Sequence, residues 1–445
     1  MQHATIAAIA TAAGEGAVAI IRISGPDALP ILRACFVPAE KKALRARSLT
    51  YGHVLGEDGQ VLDEVMAAYL PAPRTYTRED VVEIQGHGGR AVVEQVLSRV
   101  LALGAMPAQP GEFTKRAFLN GRIDLCEAEA VMALIASESE SAARAALRQL
   151  DGGVTRVIDE LKGQLIELLG LIEASDDFPE EIEEAAAKED VLSRLDQLIG
   201  QMAGAVDPRG ARLVTDGASV VLVGRPNTGK SSLMNALTAS ERAIVTSAPG
   251  TTRDLLTARL RLGGLDVTLT DTAGQRLALG EAEQIGVARA KKAQHDADVV
   301  LLVLDGSQPL TREDEALLKT MDARTILLVN KCDLPKKISL PEWTHVFFVS
   351  AATGMGLSDV QEAIEQKLGR AGAQGFLLTE RRHISLAQCA LAALARARET
   401  LTSGAPLDLA ALDFEEALSK ILEITGKNAS EEVIDHIFST FCVGK

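Results

Sequence analysis

Eight residues constrain this chain more than any others. Gly224-Arg225-Pro226-Asn227-Thr228-Gly229-Lys230-Ser231 reads GxxxxGKS, between the apolar run SVVLV at 219–223 and the helix-like SLMNALTAS. A glycine-rich turn of this spacing, entered from a strand and left by a helix, is built for phosphate. Its backbone N–H groups curl round the anion, and the helix N-terminus adds its dipole. Lys230 is expected at the β and γ phosphates and Ser231 at Mg²⁺, with Asn227, Thr228, Gly229 and Ser232 completing the cradle. Apolar runs then recur, each stopping at a polar residue: VTLT before Asp271, VVLLVL before Asp305, TILLV before Asn330 and VFFV before Ser350. Strands alternating with helical stretches predict a doubly wound parallel sheet over 214–376.

The strand ends specify the ligand. Asp271-Thr272-Ala273-Gly274 places a carboxylate near the magnesium and a glycine amide near the γ-phosphate. In Asn330-Lys331-Cys332-Asp333 the carboxylate can accept both hydrogen bonds of the guanine N1–H and N2–H₂ edge. Adenine offers no such pair, and unmatched buried polar groups discriminate strongly. Ser350-Ala351-Ala352 suits the base-contacting loop. Gly250-Thr251-Thr252-Arg253-Asp254 supplies the switch segment, with Thr252 as second protein ligand of Mg²⁺, and Thr246-Ser247-Ala248-Pro249 leads into it. GTP is therefore the expected substrate, and the segment resembles the Ras-like, translation-factor-related GTPases.

A chain of 445 residues has room for two to four domains. Apolar residues at 47% and charged residues at 24% exclude a disordered chain. No apolar run reaches the roughly 18–20 residues of a membrane span. The opening MQHATIAAIATAAGEG shows neither a basic flank before an apolar stretch nor an Arg-rich leader, so a cytoplasmic protein with no membrane partner is the expectation. Five scattered cysteines offer no zinc or disulfide spacing. Residues 1–118 read as α+β, with β-branched runs Val18–Ile23 and Val81–Ile84 and a helix near Ala91–Leu103. Residues 119–213 and 377–445 carry the 3.6-residue periodicity of helices, and the simplest arrangement is one all-α domain built from both segments, with 214–376 inserted. Those helical segments hold 16 basic against 30 acidic residues, nearly all of the net charge of −15. RNA phosphates usually meet a basic footprint, so a nucleic-acid role here needs a partner or a local patch.

Beyond the nucleotide motifs, YTREDVVEIQGHGG at 76–89, GEFTKRAFLNGRIDL at 111–125 and the terminal FCVGK at 441–445 make the whole chain resemble the MnmE (TrmE) family. The resemblance implies an N-terminal domain that binds folate and dimerises, a central helical domain and an inserted GTPase domain. It also implies a homodimer that joins the flavoprotein MnmG in a heterotetramer or larger assembly. That complex binds tRNA and builds a carboxymethylaminomethyl-type group at C5 of the wobble uridine, U34, from a folate one-carbon unit in the 5-formyl or methylene form. Family folate contacts carry over onto Arg22, Glu83, Arg122 and Lys445. The family commonly has lysine at the position of Arg122, so a planar fork replaces a point charge.

The resemblance further implies a potassium-activated GTPase, with K⁺ held by the Asn227 side chain and by backbone oxygens of Thr246, Ala248 and Thr251. For the attacking water two residues compete. Glu283 corresponds to the family's activating carboxylate, whereas Gln275, directly after DTAG, reproduces the Ras arrangement. Glu283 is the expectation. Cys442 is either a nucleophile brought to the folate or a small buried residue, and His87 is a turn or pocket-wall residue in preference to a catalytic or metal-binding one. A regulatory or ribosome-assembly GTPase switch is the alternative function; it would usually append a basic or GxxG-bearing RNA-binding domain.

Overall fold

A computed structural model describes residues 4–12, 14, 16–40, 44–137, 139–177, 184–239, 256–271, 292–340, 346–369 and 378–444. The backbone divides into two compact units. One comprises Met1–Ile135, Arg148–Leu192 and Ala392–Lys445, and the other Ala136–Leu147 and Ser193–Leu391.

The chain opens with β1 (Ile6–Ile9), β2 (Val18–Ser24), α1 (Ala28–Cys35), β3 (Phe36–Pro38), β4 (Leu49–Leu55), β5 (Val61–Leu70), β6 (Val81–His87), α2 (Arg90–Ala102), β7 (Met106–Pro107) and α3 (Glu112–Leu119). The strands form one sheet in the order β3-β4-β5-β6-β2-β1-β7, antiparallel except where β7 runs parallel to β1. In β2 the side chains alternate: Ile21 and Ile23 point into the core against α1 and α2, with Ile84, Val93 and Val96. Each such side chain contributes roughly 1.5–3 kcal/mol relative to exposure. Arg22 falls between them and so faces the other way. A one-residue slip of β2 would bury this arginine and expose both isoleucines.

Helices follow: α4 (Leu125–Ala136), α5 (Glu140–Leu150), α6 (Gly153–Asp177), α7 (Glu184–Ala205) and α8 (Pro208–Thr215). The second sheet then begins with β8 (Ala218–Val223), and the chain continues through α9 (Lys230–Ala239), β9 (Leu256–Leu262), β10 (Leu265–Asp271), β11 (Val299–Asp305), α10 (Arg312–Leu318), β12 (Thr325–Asn330), β13 (Val346–Phe348) and α11 (Leu357–Leu368). Its order is β13-β12-β11-β8-β10-β9. All neighbours are parallel save the edge strand β9, which is antiparallel to β10. In β8, Val220 and Leu222 join a core with α9 and α11, whereas Val221 and Val223 join a second core with Leu318 of α10. Covering on both faces explains why these strands read as unbroken apolar runs and not as alternations. Parallel strands also end together, so Val223, Asp271, Asp305 and Asn330 share one edge, where doubly wound sheets bind ligands.

The last helices are α12 (Arg381–Thr402), α13 (Asp408–Ile424) and α14 (Glu431–Ser439). Within the first unit α13 packs on α6, Lys427 pairs with Asp159 at 3.1 Å and the Cys126 thiol donates to the Ile424 carbonyl at 3.2 Å. Parts of both helical segments thus pack together within the first unit, and the fold is the expected multidomain α/β arrangement. Among the described residues no helix is long and apolar enough to cross a membrane.

Candidate functional site

The turn after β8 is shaped by its glycines. Gly224 has φ +154°, and a Cβ there would strike the Val303 carbonyl; Gly229 has φ +90°, and a Cβ there would strike the Asn330 amide. Lys230 opens α9 and is buried. Its Nζ donates to the Gly224 and Arg225 carbonyls, both at 2.6 Å. Burial pushes the ammonium pKa below its ordinary value, and Asp271 partly offsets this. The Ser231 hydroxyl donates to Asp271 Oδ2 at 2.6 Å. These two hard oxygen donors stand at the phosphate end, and a magnesium ion suits one carboxylate and one hydroxyl completed by water and phosphate oxygens. Among the described residues no three His, Cys, Asp or Glu side chains cluster as a metal cage.

The base-reading residues meet the same loop. Asn330 Nδ2 donates to the Thr228 carbonyl at 2.9 Å, and its Oδ1 accepts from the Ala351 N–H at 3.1 Å. Ser350 Oγ donates to Asp333 Oδ1 at 2.6 Å and accepts from the Thr353 N–H. Lys331 Nζ donates to the Asn227 carbonyl at 2.8 Å. Hydrogen bonds thus link Asn330 to Thr228 and Ala351, Lys331 to Asn227, Ser231 to Asp271 and Ser350 to Asp333, with Lys230 on the loop's own carbonyls and Gly229 against the Asn330 amide, while Ser232 is exposed on α9 and Ala352 on the neighbouring loop. Thr246, Ser247, Ala248, Pro249, Gly250, Thr251, Thr252, Thr272, Ala273, Gly274, Gln275, Glu283 and Lys445 lie outside the described residues.

Sequence reasoning missed two supports of this loop. Arg225 Nε donates to Asp314 Oδ1 at 3.0 Å, and Asp314 belongs to a capping box with Thr311 at the start of α10. The TRED sequence carried that signal. Asp305, at the end of β11, accepts from Lys331 Nζ at 2.7 Å; only the strand end hinted at it.

A second cluster lies on the first sheet. Arg22 and Glu83 are direct cross-strand partners of β2 and β6, and Nε and Nη2 of Arg22 both donate to Glu83 Oε1, at 3.1 and 2.9 Å. The Arg22 guanidinium lies 5.8 Å from the Tyr76 ring centre and 5.7 Å from that of Phe113, and Arg122 stacks on Tyr76 at 4.7 Å. Tyr76 was not foreseen, although it heads YTRED. The C-terminal tail reaches the same sheet. Phe441 is buried beside Phe438 at 5.3 Å between ring centres, the Gly111 N–H donates to the Cys442 carbonyl at 3.4 Å, and Gly444, at φ +96°, sits too close to the Ile9 carbonyl for any Cβ. Cys442 itself is exposed, which removes its reading as a small buried residue. His87 is exposed too, with Nδ1 2.6 Å from Asp63 Oδ1. That hydrogen bond raises its pKa above the ordinary 6.5.

The chain is similar to known proteins over nearly its whole length. The tRNA modification GTPase MnmE of Chloroflexus aurantiacus is 46% identical over 455 residues, covering 99% of each chain. The protein of that name from Synechococcus sp. RCC307 is 45% identical over 454 residues, covering 99% of this chain and 98% of its own. Among solved structures, the G domain of the T. maritima FeoB iron transporter overlaps 34% of this chain and 99% of its own at 28% identity and a TM-score of 0.26. Era of Aquifex aeolicus overlaps 39% of this chain and 66% of its own at 23% identity and a TM-score of 0.28. The model of the GTP-binding protein TrmE N-terminus matches residues 5–122, which hold the Arg22–Glu83 pair, and that of the MnmE helical domain matches residues 125–442. With both models matched in order and full-length relatives above 40% identity, the chain belongs to the MnmE (TrmE) family.

Proposed function

We propose that this chain binds GTP with Mg²⁺ in the cradle after β8 and hydrolyses it to drive modification of the wobble uridine of tRNA. The observation that carries this reading is the pair of hydrogen bonds by which Asn330 and Lys331 of the base-reading segment reach the Thr228 and Asn227 carbonyls of the phosphate loop, because they let guanine and phosphate recognition act on one ligand. Lys230 exchanges two loop carbonyls for phosphate oxygens, and Ser231, Asp271 and Thr252 hold the magnesium, which neutralises charge on the β and γ phosphates. Asn227 with the backbone of Thr246, Ala248 and Thr251 holds K⁺, which supplies the positive charge that an arginine finger would otherwise bring. Glu283, in preference to Gln275, orients the water. Equal hydrolysis rates in KCl and NaCl at matched ionic strength would remove the potassium assignment.

Residues of the N-terminal domain, 1–118, suit a folate: Glu83 for the donors of a pterin edge, Tyr76 as an aromatic face and Arg22 for a carboxylate, joined by Arg122 and Lys445 from beyond that domain for the same purpose. The bound folate, in its 5-formyl or methylene form, supplies the one-carbon unit. Cys442, exposed at the tail that lies on this sheet, is available as a nucleophile. The chain works as a cytoplasmic homodimer with the flavoprotein MnmG, and tRNA binds through that complex, which accommodates the acidity of the helical segments 119–213 and 377–445. The inserted domain is 214–376. The deciding experiment is mass spectrometry of U34 in tRNA from a strain lacking the gene, with complementation by the parent chain and by Lys230→Ala. Loss of the modification, restored only by the parent, supports the reading. Normal modification in the deletion strain removes it and favours a regulatory or ribosome-assembly switch.

A further inference from the structure

Two residues of the nucleotide site adopt a backbone that side chains disfavour. Asn227 has φ +67° and Lys331 has φ +64°, two of only four non-glycine residues with positive φ among the described residues. Such a conformation crowds a Cβ against the following carbonyl, and it persists where surrounding contacts over-determine it. The two strained residues are joined to each other, because Lys331 Nζ donates to the Asn227 carbonyl at 2.8 Å. The same ammonium donates to Asp305 Oδ2 at 2.7 Å.

Asp305 is a well-fixed anchor. Its side chain is 5% exposed, and its Oδ1 accepts from the Ser307 N–H at 2.9 Å and the Ser307 hydroxyl at 2.6 Å. Burial alone would push this carboxyl up, yet the bonds from Lys331 and Ser307 hold it below its ordinary value. The adjoining backbone is locked as well, since the Gly306 N–H donates to the Asn330 carbonyl at 2.8 Å and the Gly306 carbonyl accepts from the Lys337 N–H at 2.9 Å. A lysine ammonium is a mobile point charge on a flexible stem. With only a carbonyl to hold it, at a side chain 31% exposed, it would spend much of its time in water. A buried, doubly bonded carboxylate removes that freedom.

We infer that Asp305 is a positioning residue: it clamps Lys331 across the phosphate loop, ties the guanine-reading loop to the Asn227 carbonyl, and thereby lengthens the residence of the bound guanine nucleotide. Asp305 touches neither base nor phosphate in this account; it acts through Lys331. The inference rests on the guanine-nucleotide reading of the site and adds a residue to it.

The test is release of mant-GDP by stopped-flow fluorescence from the full chain and from Asp305→Asn, Lys331→Met and the double variant. The amide of Asp305→Asn still accepts from Ser307 but loses the charge. A charge-assisted hydrogen bond is worth about 1.5–3 kcal/mol, so release should quicken about tenfold or more in each single variant. The double variant should release no faster than Lys331→Met alone, because both changes break one link. Preference for GTP over ATP should survive Asp305→Asn, since Asp333 is untouched. Unchanged release in Asp305→Asn, or effects that multiply in the double variant, overturns the clamp while leaving the guanine reading intact. A parent chain that binds no mant-GDP overturns both. Melting curves establish that each variant is folded. Should Asp305→Asn not fold, Ser307→Ala, which loosens the carboxylate on its far side, is expected to quicken release about two- to threefold, and unchanged release there overturns the clamp equally.

Discussion

The phosphate cradle and the Arg22–Glu83 pocket are built on opposite plans. The cradle is a contiguous stretch of backbone, and its one buried cation rests on neutral carbonyl oxygens. That ammonium can exchange the carbonyls for the oxygens of an anion. The pocket is assembled from side chains at 22, 76, 83, 113 and 122, and a tail more than 300 residues further on meets the same domain at Gly111 and Ile9. Its arginine and glutamate already neutralise each other, so a ligand there must offer donors and acceptors of its own. A backbone cradle recognises a charge and tolerates change in most of its side chains. A pocket of paired side chains recognises a pattern and depends on register.

The largest effect that can break this contrast is in hydrolysis. Glu283→Ala should cut single-turnover hydrolysis by roughly 10² to 10⁴ with little loss of nucleotide affinity, the range of a positioned water-orienting group, while Gln275→Ala is mild. The reverse outcome would put the Ras-like residue in charge.

Asp333→Asn tests the only part of the nucleotide site that reads a pattern. GTP affinity should fall roughly 10²-fold or more as a donor replaces an acceptor, with a turn toward xanthosine nucleotides. Unchanged affinity by titration would show that the cradle binds by phosphate alone.

Deleting Cys442–Lys445 sharpens the separation between the plans. Affinity for 5-formyltetrahydrofolate should drop about tenfold, the worth of one or two charge-assisted bonds, with hydrolysis of GTP unchanged. Calorimetry and a phosphate-release assay read the two halves, and lost hydrolysis with retained folate affinity would collapse the distinction.

The smallest effect is one of stability at the first sheet. Because the folded pKa of His87 is raised by Asp63, the pair stabilises fully below the unfolded value near 6.5 and loses its contribution as pH rises through the folded value. The melting temperature of the parent should exceed that of His87→Asn most in acid, and the gap should close with rising pH. A gap independent of pH would leave the pair without an ionic role.

The same contrast governs what the sequence discloses. GxxxxGKS, NKCD and the strand ends at Asp271 and Ser350 are local patterns whose chemistry depends on neighbours in the chain, and so they can be read from the chain. The α+β texture of the first 118 residues and the helical periodicity of the flanks are legible for the same reason. The Arg22–Glu83 pairing is a matter of register between β2 and β6, 61 residues apart, and no local rule selects it; here only family resemblance named the partners. Tyr76 and Asp305 went unread because an aromatic ring in a loop and an acid at a strand end are commonplace until the fold sets a cation against each.

One feature of the helical layer bears on how the chain reaches its fold. α13 packs on α6, yet about 230 residues lie between Asp177 and Asp408. The layer cannot close until nearly all of the chain has left the ribosome, and a disordered stretch of that length must then be spanned. Folding the parallel sheet beforehand removes most of that stretch from the loop. An eightfold shorter effective loop lowers the closure cost by about 2 kcal/mol. The inserted sheet therefore serves as a splint for the helices that flank it, and synthesis from the N-terminus delivers the parts in the order this requires: first sheet, half a layer, splint, and the closing helices last.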